Sequence, residues 1–214
     1  MLKISATQLE GYNRFKQGKI GLELLCSQLL KLEGPNVYME QGTKFHELLQ
    51  ADAVTPEQCE PHFDFEDITQ ARTNIDYRCK AFEVKLRTKI KTFDNTPVVI
   101  TGVADQLLPG KVIEYKTRYS AFQYEGYANS MQWRLYCYLF DVPTVNYKVW
   151  EMKWNKATGK QKVASYNDFQ LHEYANLEHD LRTSITEFAE LLKRLKLDKH
   201  EYFTFNEETQ CVTT

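Results

Sequence analysis

The chain has 214 residues, with 27 Lys or Arg against 29 Asp or Glu, so its net charge of −2 does not advertise a polyanion-binding surface. Hydrophobic residues make up 43%, enough for the core of one domain with a small appendage. No apolar run reaches membrane-spanning length, and Met1-Leu2-Lys3-Ile4-Ser5 is too short and polar for a signal peptide, so the cytoplasm is the expected location.

In chain order, residues 7–32 read as two helices broken near Gly18. Leu22, Leu25, Cys26 and Leu29 recur at i, i+3, i+4 and i+7 as a core stripe. A helix over 42–51 follows the Gly34-Pro35-Asn36 loop; 55–67 is irregular and acidic, and 67–81 reads as a further helix. Strands follow near 82–93, 97–107 and 111–117, then a helix over about 122–141. A strand over 144–154 and a shorter one near 161–166 flank the turn Ala157-Thr158-Gly159-Lys160, and a long helix over about 168–197 closes the fold. The expectation is one α/β domain over 1–214, with a helical N-terminal layer (about 1–81) and a core (about 82–197) whose mixed central sheet is flanked by helices.

The most informative stretch is 98–117, where two β-branched runs flank Pro109-Gly110 and read as a hairpin. A two-residue loop pairs Leu108 with Lys111, Leu107 with Val112, Gln106 with Ile113 and Asp105 with Glu114. Opposed residues have Cβ atoms roughly 4.5–5.5 Å apart, and Lys116 shares their face because strand side chains alternate. Two opposed carboxylates are costly unless a cation lies between them, and oxygen-rich sites suit magnesium or manganese. The Glu-x-Lys tripeptide alone says nothing, since Glu83-Val84-Lys85 and Glu151-Met152-Lys153 repeat it. Only the central copy has an Asp across a tight turn: Asp141 falls at a helix end before Pro143, and no turn signal separates Asp76 from Glu83. The plain alternative is an exposed hairpin end with a cross-strand salt bridge.

Two further patterns frame the hairpin. Upstream, Gln41-Gly42-Thr43-Lys44-Phe45-His46-Glu47 is a helical pattern with one His. Downstream, Gln132 and Tyr136 stand four apart on one helix face. The order Gly-x-x-x-His, Gly-x-x-Asp, Glu-x-Lys, Gln-x-x-x-Tyr resembles the PD-(D/E)XK nucleases, in particular the RecB-like branch with its phage and prophage recombination exonucleases. Ile4-Ser5-Ala6-Thr7-Gln8-Leu9-Glu10-Gly11-Tyr12 is similar to the opening helix of many such domains. One departure is Ala104, where a proline or larger apolar residue commonly precedes the Asp.

The resemblance implies a restriction-endonuclease-like core and a Mg²⁺- or Mn²⁺-dependent DNA hydrolase. Asp105, Glu114, His46 and the Tyr115 backbone carbonyl would be metal ligands. Lys116 would position or deprotonate water, or offset charge on phosphorus, and Gln132 and Tyr136 would hold a phosphate or the ligand carboxylates. Glu47, next to His46, points elsewhere on its helix. The resemblance tips exonuclease over endonuclease, in DNA recombination or repair, with a single-strand annealing protein and a homo-oligomeric ring as associated partners. The rivals are a nuclease-like protein that binds DNA without cutting it, a structure-specific endonuclease, and a small metal-binding or interaction protein.

Lys85, Arg87, Lys89 and Lys91 form a cationic stripe on an amphipathic strand, readable as a phosphate track or as the solvated face of an edge strand. A second basic group is Lys193, Arg194 and Lys196. Cys26, Cys59, Cys79, Cys137 and Cys211 are odd in number with no Cys-x-x-Cys pair, so neither a disulfide framework nor a zinc site is expected. Some RecB-like nucleases hold an iron–sulfur cluster on one early and three late cysteines; only Cys211 follows the motifs here by any distance, so the resemblance implies no cluster. His62 reads as part of an acidic surface loop, and His172 and His179 as one helix face without a third ligand. The tyrosines 115, 119, 124, 127, 136 and 138 read mainly as core or rim, with one or two placed to stack on a base. No Gly-x-x-x-x-Gly-Lys appears, so no nucleotide cofactor is expected.

Overall fold

A mixed six-stranded sheet frames the molecule. The computed structural model describes residues 1–206. Strand β1 (Leu2–Ser5) leads into α1 (Ala6–Lys16), α2 (Leu22–Leu30), α3 (Val37–Gln50), α4 (Pro56–Cys59) and α5 (Phe65–Arg72). Then come β2 (Phe82–Lys91), β3 (Pro97–Leu108), β4 (Lys111–Arg118), α6 (Tyr124–Ala128) and α7 (Gln132–Phe140). Strands β5 (Thr144–Asn155) and β6 (Lys160–His172) precede α8 (Leu177–Arg194) and a 3-10 turn at Glu201–Phe203. Among these residues no helix is long and apolar enough to cross a membrane.

Strand β3 organises the sheet. β2 covers one of its edges, antiparallel, from Pro97 to Gln106. The other edge is divided: β1 runs parallel along Val98–Thr101, and β4 pairs antiparallel with Gln106–Leu108. Between them the sheet opens as a fork at residues 102–105. β4 continues into a parallel pairing with β5, and the crossover this requires is supplied by α6 and α7. β5 and β6 form a long hairpin beyond.

The two faces of the sheet are buried by different helices. Val98, Ile100, Ala104, Val112, Val145, Tyr147 and Val149 pack with α1, α7 and α8. Leu108, Ile113, Tyr115, Trp150 and Met152 pack with Phe45, Leu48 and Leu49 of α3 and with α5. Ala104 and Leu108 have the same parity yet join different clusters. A strand of period two must therefore change its facing between them, around Asp105. Beside it on β2, Glu83 adopts a left-handed φ of 52°, unfavourable for a residue with a side chain. The deformation thus passes through both strands.

Several element boundaries differ from the sequence reading. Helix α3 starts at Val37, its first turn capped by the Asn36 side chain, which accepts the Met39 N–H at 3.0 Å. The acidic stretch contains the short α4, and the helix over 67–81 is α5, which ends at Arg72. The helix over 122–141 is broken into α6 and α7. β6 extends to His172, so the last helix begins at Leu177 rather than 168, and His172 and His179 do not share a helix. β1 carries no local strand signal; its pairing partner lies more than ninety residues away.

Candidate active site

The hairpin register holds for Leu108–Lys111, Leu107–Val112 and Gln106–Ile113, where the ladder ends. Asp105 and Glu114 are therefore not ladder partners. Lys111 and Ile113 direct their backbone groups to β3, and so by alternation does Tyr115. Its N–H finds the Asp105 carboxylate instead of a strand carbonyl, Oδ2 accepting at 2.7 Å. The Asp side chain replaces one rung of the ladder and lies in the fork.

Glu114 comes to the same place from β4. Its Oε1 accepts from Lys116 Nζ at 2.5 Å and from Gln132 Nε2 at 2.8 Å. Gln132 also donates to the Tyr136 hydroxyl at 3.0 Å, which donates to the Val103 carbonyl at 2.7 Å. Glu114, Lys116, Gln132 and Tyr136 thus form one hydrogen-bonded group, and Asp105 is held beside it by the N–H of Tyr115, the residue between Glu114 and Lys116. From the opposite helical layer, His46 brings Nδ1 to 3.8 Å from Asp105 Oδ1, its ring edge-on to Tyr115. Glu47 points away and pairs with Lys44.

Two glycines let the helices come this close. A Cβ on Gly42 would sit 2.9 Å from Thr117 Oγ1, so the glycine one turn before His46 allows α3 to lie against β4. A Cβ on Gly102 would sit 2.9 Å from both Tyr136 Cε1 and Leu139 Cδ2, so this glycine admits α7 over β3. The Gly-x-x-x-His and Gly-x-x-Asp spacings therefore have a packing cause.

Burial dominates the electrostatics. It pushes Asp105 up to about 6, against the pull of Lys116 and the Tyr115 N–H. Burial and then Asp105 push Glu114 up to about 7, against Lys116. Burial alone would lower Lys116, but Glu114 and Asp105 outweigh it and hold its ammonium above its ordinary value. Both directions follow from two carboxylates sharing one cation. Burial, with Lys116, lowers His46 to about 4, leaving a neutral imidazole at neutral pH.

This donor set suits a hard divalent cation. Glu114 Oε2 is buried without a hydrogen-bond partner, a costly state for a carboxylate oxygen, and the group lacks one positive charge for balance. Among the described residues no three His, Cys, Asp or Glu side chains converge into a ready-made cage. Any ion here would draw further ligands from backbone, water or substrate oxygen, as Mg²⁺ commonly does.

Two further residues join this site without a sequence motif to mark them. Glu83, from the first Glu-x-Lys tripeptide, flanks Asp105 and helps raise it, while accepting from Gln50 Nε2 at 3.0 Å. Its place depends on the kink, which no local pattern signals. Gln106 donates to the Asp76 and Cys79 carbonyls at 2.7 and 2.8 Å and accepts from the Tyr115 hydroxyl at 2.6 Å. It fastens the segment before β2 beneath the hairpin; a polar residue amid apolar strand positions was the available signal.

The basic stripe lies where alternation put it. Lys85, Arg87, Lys89 and Lys91 are exposed on β2, opposite Val103, Thr101, Val99 and Pro97. Their face is the one turned away from Val98, Ile100 and Ala104, and β2 is an edge strand. Leu86, on the supposed apolar face, is 40% exposed, so the amphipathic pattern is only partly satisfied. Arg87 stacks on Phe205, Lys193 approaches Asp94, and Arg194 pairs with Glu190. His62 contacts Phe63 and lies apart from the fork. Cys26, Cys59, Cys79 and Cys137 are free thiols, and Cys211 lies outside the described residues.

No family model matches the chain, and no curated protein matches it. Solved structures do. SSO0001 aligns at 17% identity over 89% of this chain and 76% of its own, with a TM-score of 0.50. A Eubacterium rectale protein provisionally designated an exonuclease aligns at 13% identity over 93% and 83%, with a TM-score of 0.54. The alkaline exonuclease LHK-Exo of Laribacter hongkongensis, solved with dAMP, aligns at 15% identity over 92% of each chain, with a TM-score of 0.49. At such identities the likeness is one of fold. The restriction-endonuclease-like α/β fold implied by the motif order is the fold this chain has.

Proposed function

We propose that this chain is a Mg²⁺- or Mn²⁺-dependent deoxyribonuclease, and more finely an exonuclease acting in cytoplasmic DNA recombination or repair, of phage or prophage type. The observation that carries the reading is the convergence of Asp105, Glu114 and Lys116 in the fork, with Glu114 Oε2 buried and unpartnered. Asp105 and Glu114 would hold the ion, with His46 and the Tyr115 carbonyl as further ligands. Such an ion, when bound, polarises a phosphoryl oxygen and lowers the pKa of its water.

The chain's own groups have separable tasks in this reading. Lys116, held charged by two carboxylates, offsets charge on phosphorus in the transition state; in this arrangement it is not a base. Gln132 and Tyr136 orient Glu114 and fix α7 to β3. Lys85, Arg87, Lys89 and Lys91 contact phosphates along β2. The designation of the Eubacterium rectale neighbour supports the exonuclease choice. A single-strand annealing partner and a ring of several copies belong to the same reading, on the motif resemblance alone.

The test is digestion of end-labelled linear and covalently closed circular duplex DNA, with Mg²⁺ and with EDTA. The proposal expects loss of the linear substrate from its ends, persistence of the circle, and no reaction in EDTA. Cleavage of the circle would replace exonuclease by endonuclease. Binding without cleavage would leave a nuclease-like DNA-binding protein.

A further inference from the structure

Helix α7 carries Gln132 and Tyr136, yet its own N-cap residue, Met131, provides no side-chain cap. Uncapped N–H groups at a helix start are costly when partly buried. The missing acceptor comes from 121 residues earlier in the chain. Glu10 of α1 accepts from Met131 N–H and from Ser130 Oγ, both at 2.7 Å, and Ser130 Oγ accepts the Gln132 N–H at 3.0 Å. A carboxylate at a helix N-terminus is favoured by the macrodipole. The same face of α1 grips the preceding loop, with Asn13 Nδ2 and Gln17 Nε2 donating to the Asn129 carbonyl at 2.8 and 3.3 Å. α1 is itself set by the Ser5–Gln8 capping box directly after β1, which is paired to β3.

We propose that Glu10 is a positioning residue for the candidate site: it fixes the first turn of α7 so that Gln132 holds Oε1 of Glu114. The path has three links: Glu10 to Ser130 and Met131, that turn to Gln132, and the Gln132 amide to Glu114. With Oε1 occupied by Gln132 and Lys116, Oε2 is the oxygen left without a protein partner. Glu10 therefore acts on which carboxylate oxygen is offered to a cation, from outside the site. The inference rests on the metal-site reading above, and its test separates the two.

The experiment is a double-mutant cycle on the full chain, read by calorimetric Mn²⁺ binding without DNA and, in parallel, by cleavage. Glu10→Gln should weaken Mn²⁺ binding about 5- to 10-fold and lower kcat by about 10-fold, with KM for DNA unchanged. In a Gln132→Ala background the same change should add less than about 2-fold, because the path is already cut. Asn13→Ala, which loosens the same loop while keeping the charge, should leave Mn²⁺ affinity within about 2-fold of the parent. Ser130→Ala, a milder break in the path, should fall between and keeps the test readable if Glu10→Gln folds poorly. Independent, multiplicative losses for Glu10→Gln and Gln132→Ala would overturn the proposal, as would unchanged Mn²⁺ affinity in Glu10→Gln or no Mn²⁺ binding by the parent chain. Coupled Mn²⁺ losses in a chain that does not cut DNA would keep the positioning role and remove the nuclease reading.

Discussion

Glu114-Tyr115-Lys116 on β4 and Glu151-Met152-Lys153 on β5 are the same pattern on adjacent strands of one sheet, and their surroundings differ in every respect. Glu114 is 3% exposed, faces Asp105 across the fork and is held by an amide from α7. Glu151 is half-buried and accepts from the Phe122 N–H and Asn167 Nδ2 at 3.2 and 3.4 Å, while Lys153 is exposed. The pairing with β6 is itself irregular here, Glu151 opposing Ser165 and Met152 opposing Val163. The tripeptide supplies donors; burial, a second carboxylate and a helix packed overhead supply the chemistry.

The contrast is broken most directly by removing the two lysines. Lys116→Ala should cut DNA cleavage roughly 10²-fold or more, since it takes away a positioned charge, with little change in DNA affinity measured in Ca²⁺. Lys153→Ala should leave turnover at the parental level. Equal behaviour of the two variants would reduce Lys116 to a salt-bridge partner.

Next in size is the packing of α7 over β3. Gly102→Ala forces Tyr136 or Leu139 to move and should cost about 1–3 kcal/mol in chemical denaturation, the usual range for overpacking, with loss of cleavage. Gly126→Ala, whose added methyl meets no atom within 4 Å, is the control and should leave both unchanged. A neutral Gly102→Ala would show that the close approach of α7 is not needed.

The pH dependence of stability in EDTA separates the two glutamates. A carboxyl raised in the fold binds more protons folded than unfolded, so its stabilising contribution is present at low pH and lost as pH climbs through its folded value. His46, lowered to about 4, acts in the opposite sense between about pH 4 and 6.5. Above pH 6.5 the Glu114 contribution, centred at about 7, stands largely alone. Stability should fall by on the order of 1 kcal/mol between about pH 6.5 and 8. Glu114→Gln should abolish that fall and Glu151→Gln should keep it. A fall that survives Glu114→Gln would place the titrating group elsewhere.

The smallest effect concerns the third tripeptide, whose Lys85 begins the basic stripe. Replacing Lys85 and Lys91 with Gln should flatten the slope of log K against log[salt] for duplex DNA by up to about two, leaving folding intact. Replacing Lys193 and Arg194 should change it less. The reverse result would move the DNA path to α8.

The parts legible in the sequence were those governed by local rules. Turn residues and alternation located the β3–β4 hairpin, and the four-residue spacing put Gln132 and Tyr136 on one face. The end of β6 is not legible because no Gly or Pro marks it. The alternation of Phe169 and Leu171 is short and runs into the amphipathic pattern of α8. β1, the fork and the Glu10 cap depend on partners many residues distant. The kink at Asp105 replaced the expected opposition of Asp105 and Glu114 with a side chain-to-backbone bond, which brings the same groups together by another route.

Whether the fork holds a divalent cation on Asp105 and Glu114 is decided by anomalous diffraction from Mn²⁺-soaked crystals. One ion is expected within about 2.0–2.3 Å of an Asp105 carboxylate oxygen and of Glu114 Oε2, with Lys116 and Gln132 still on Oε1. An empty fork, or Mn²⁺ bound only at other carboxylates, would rule the site out.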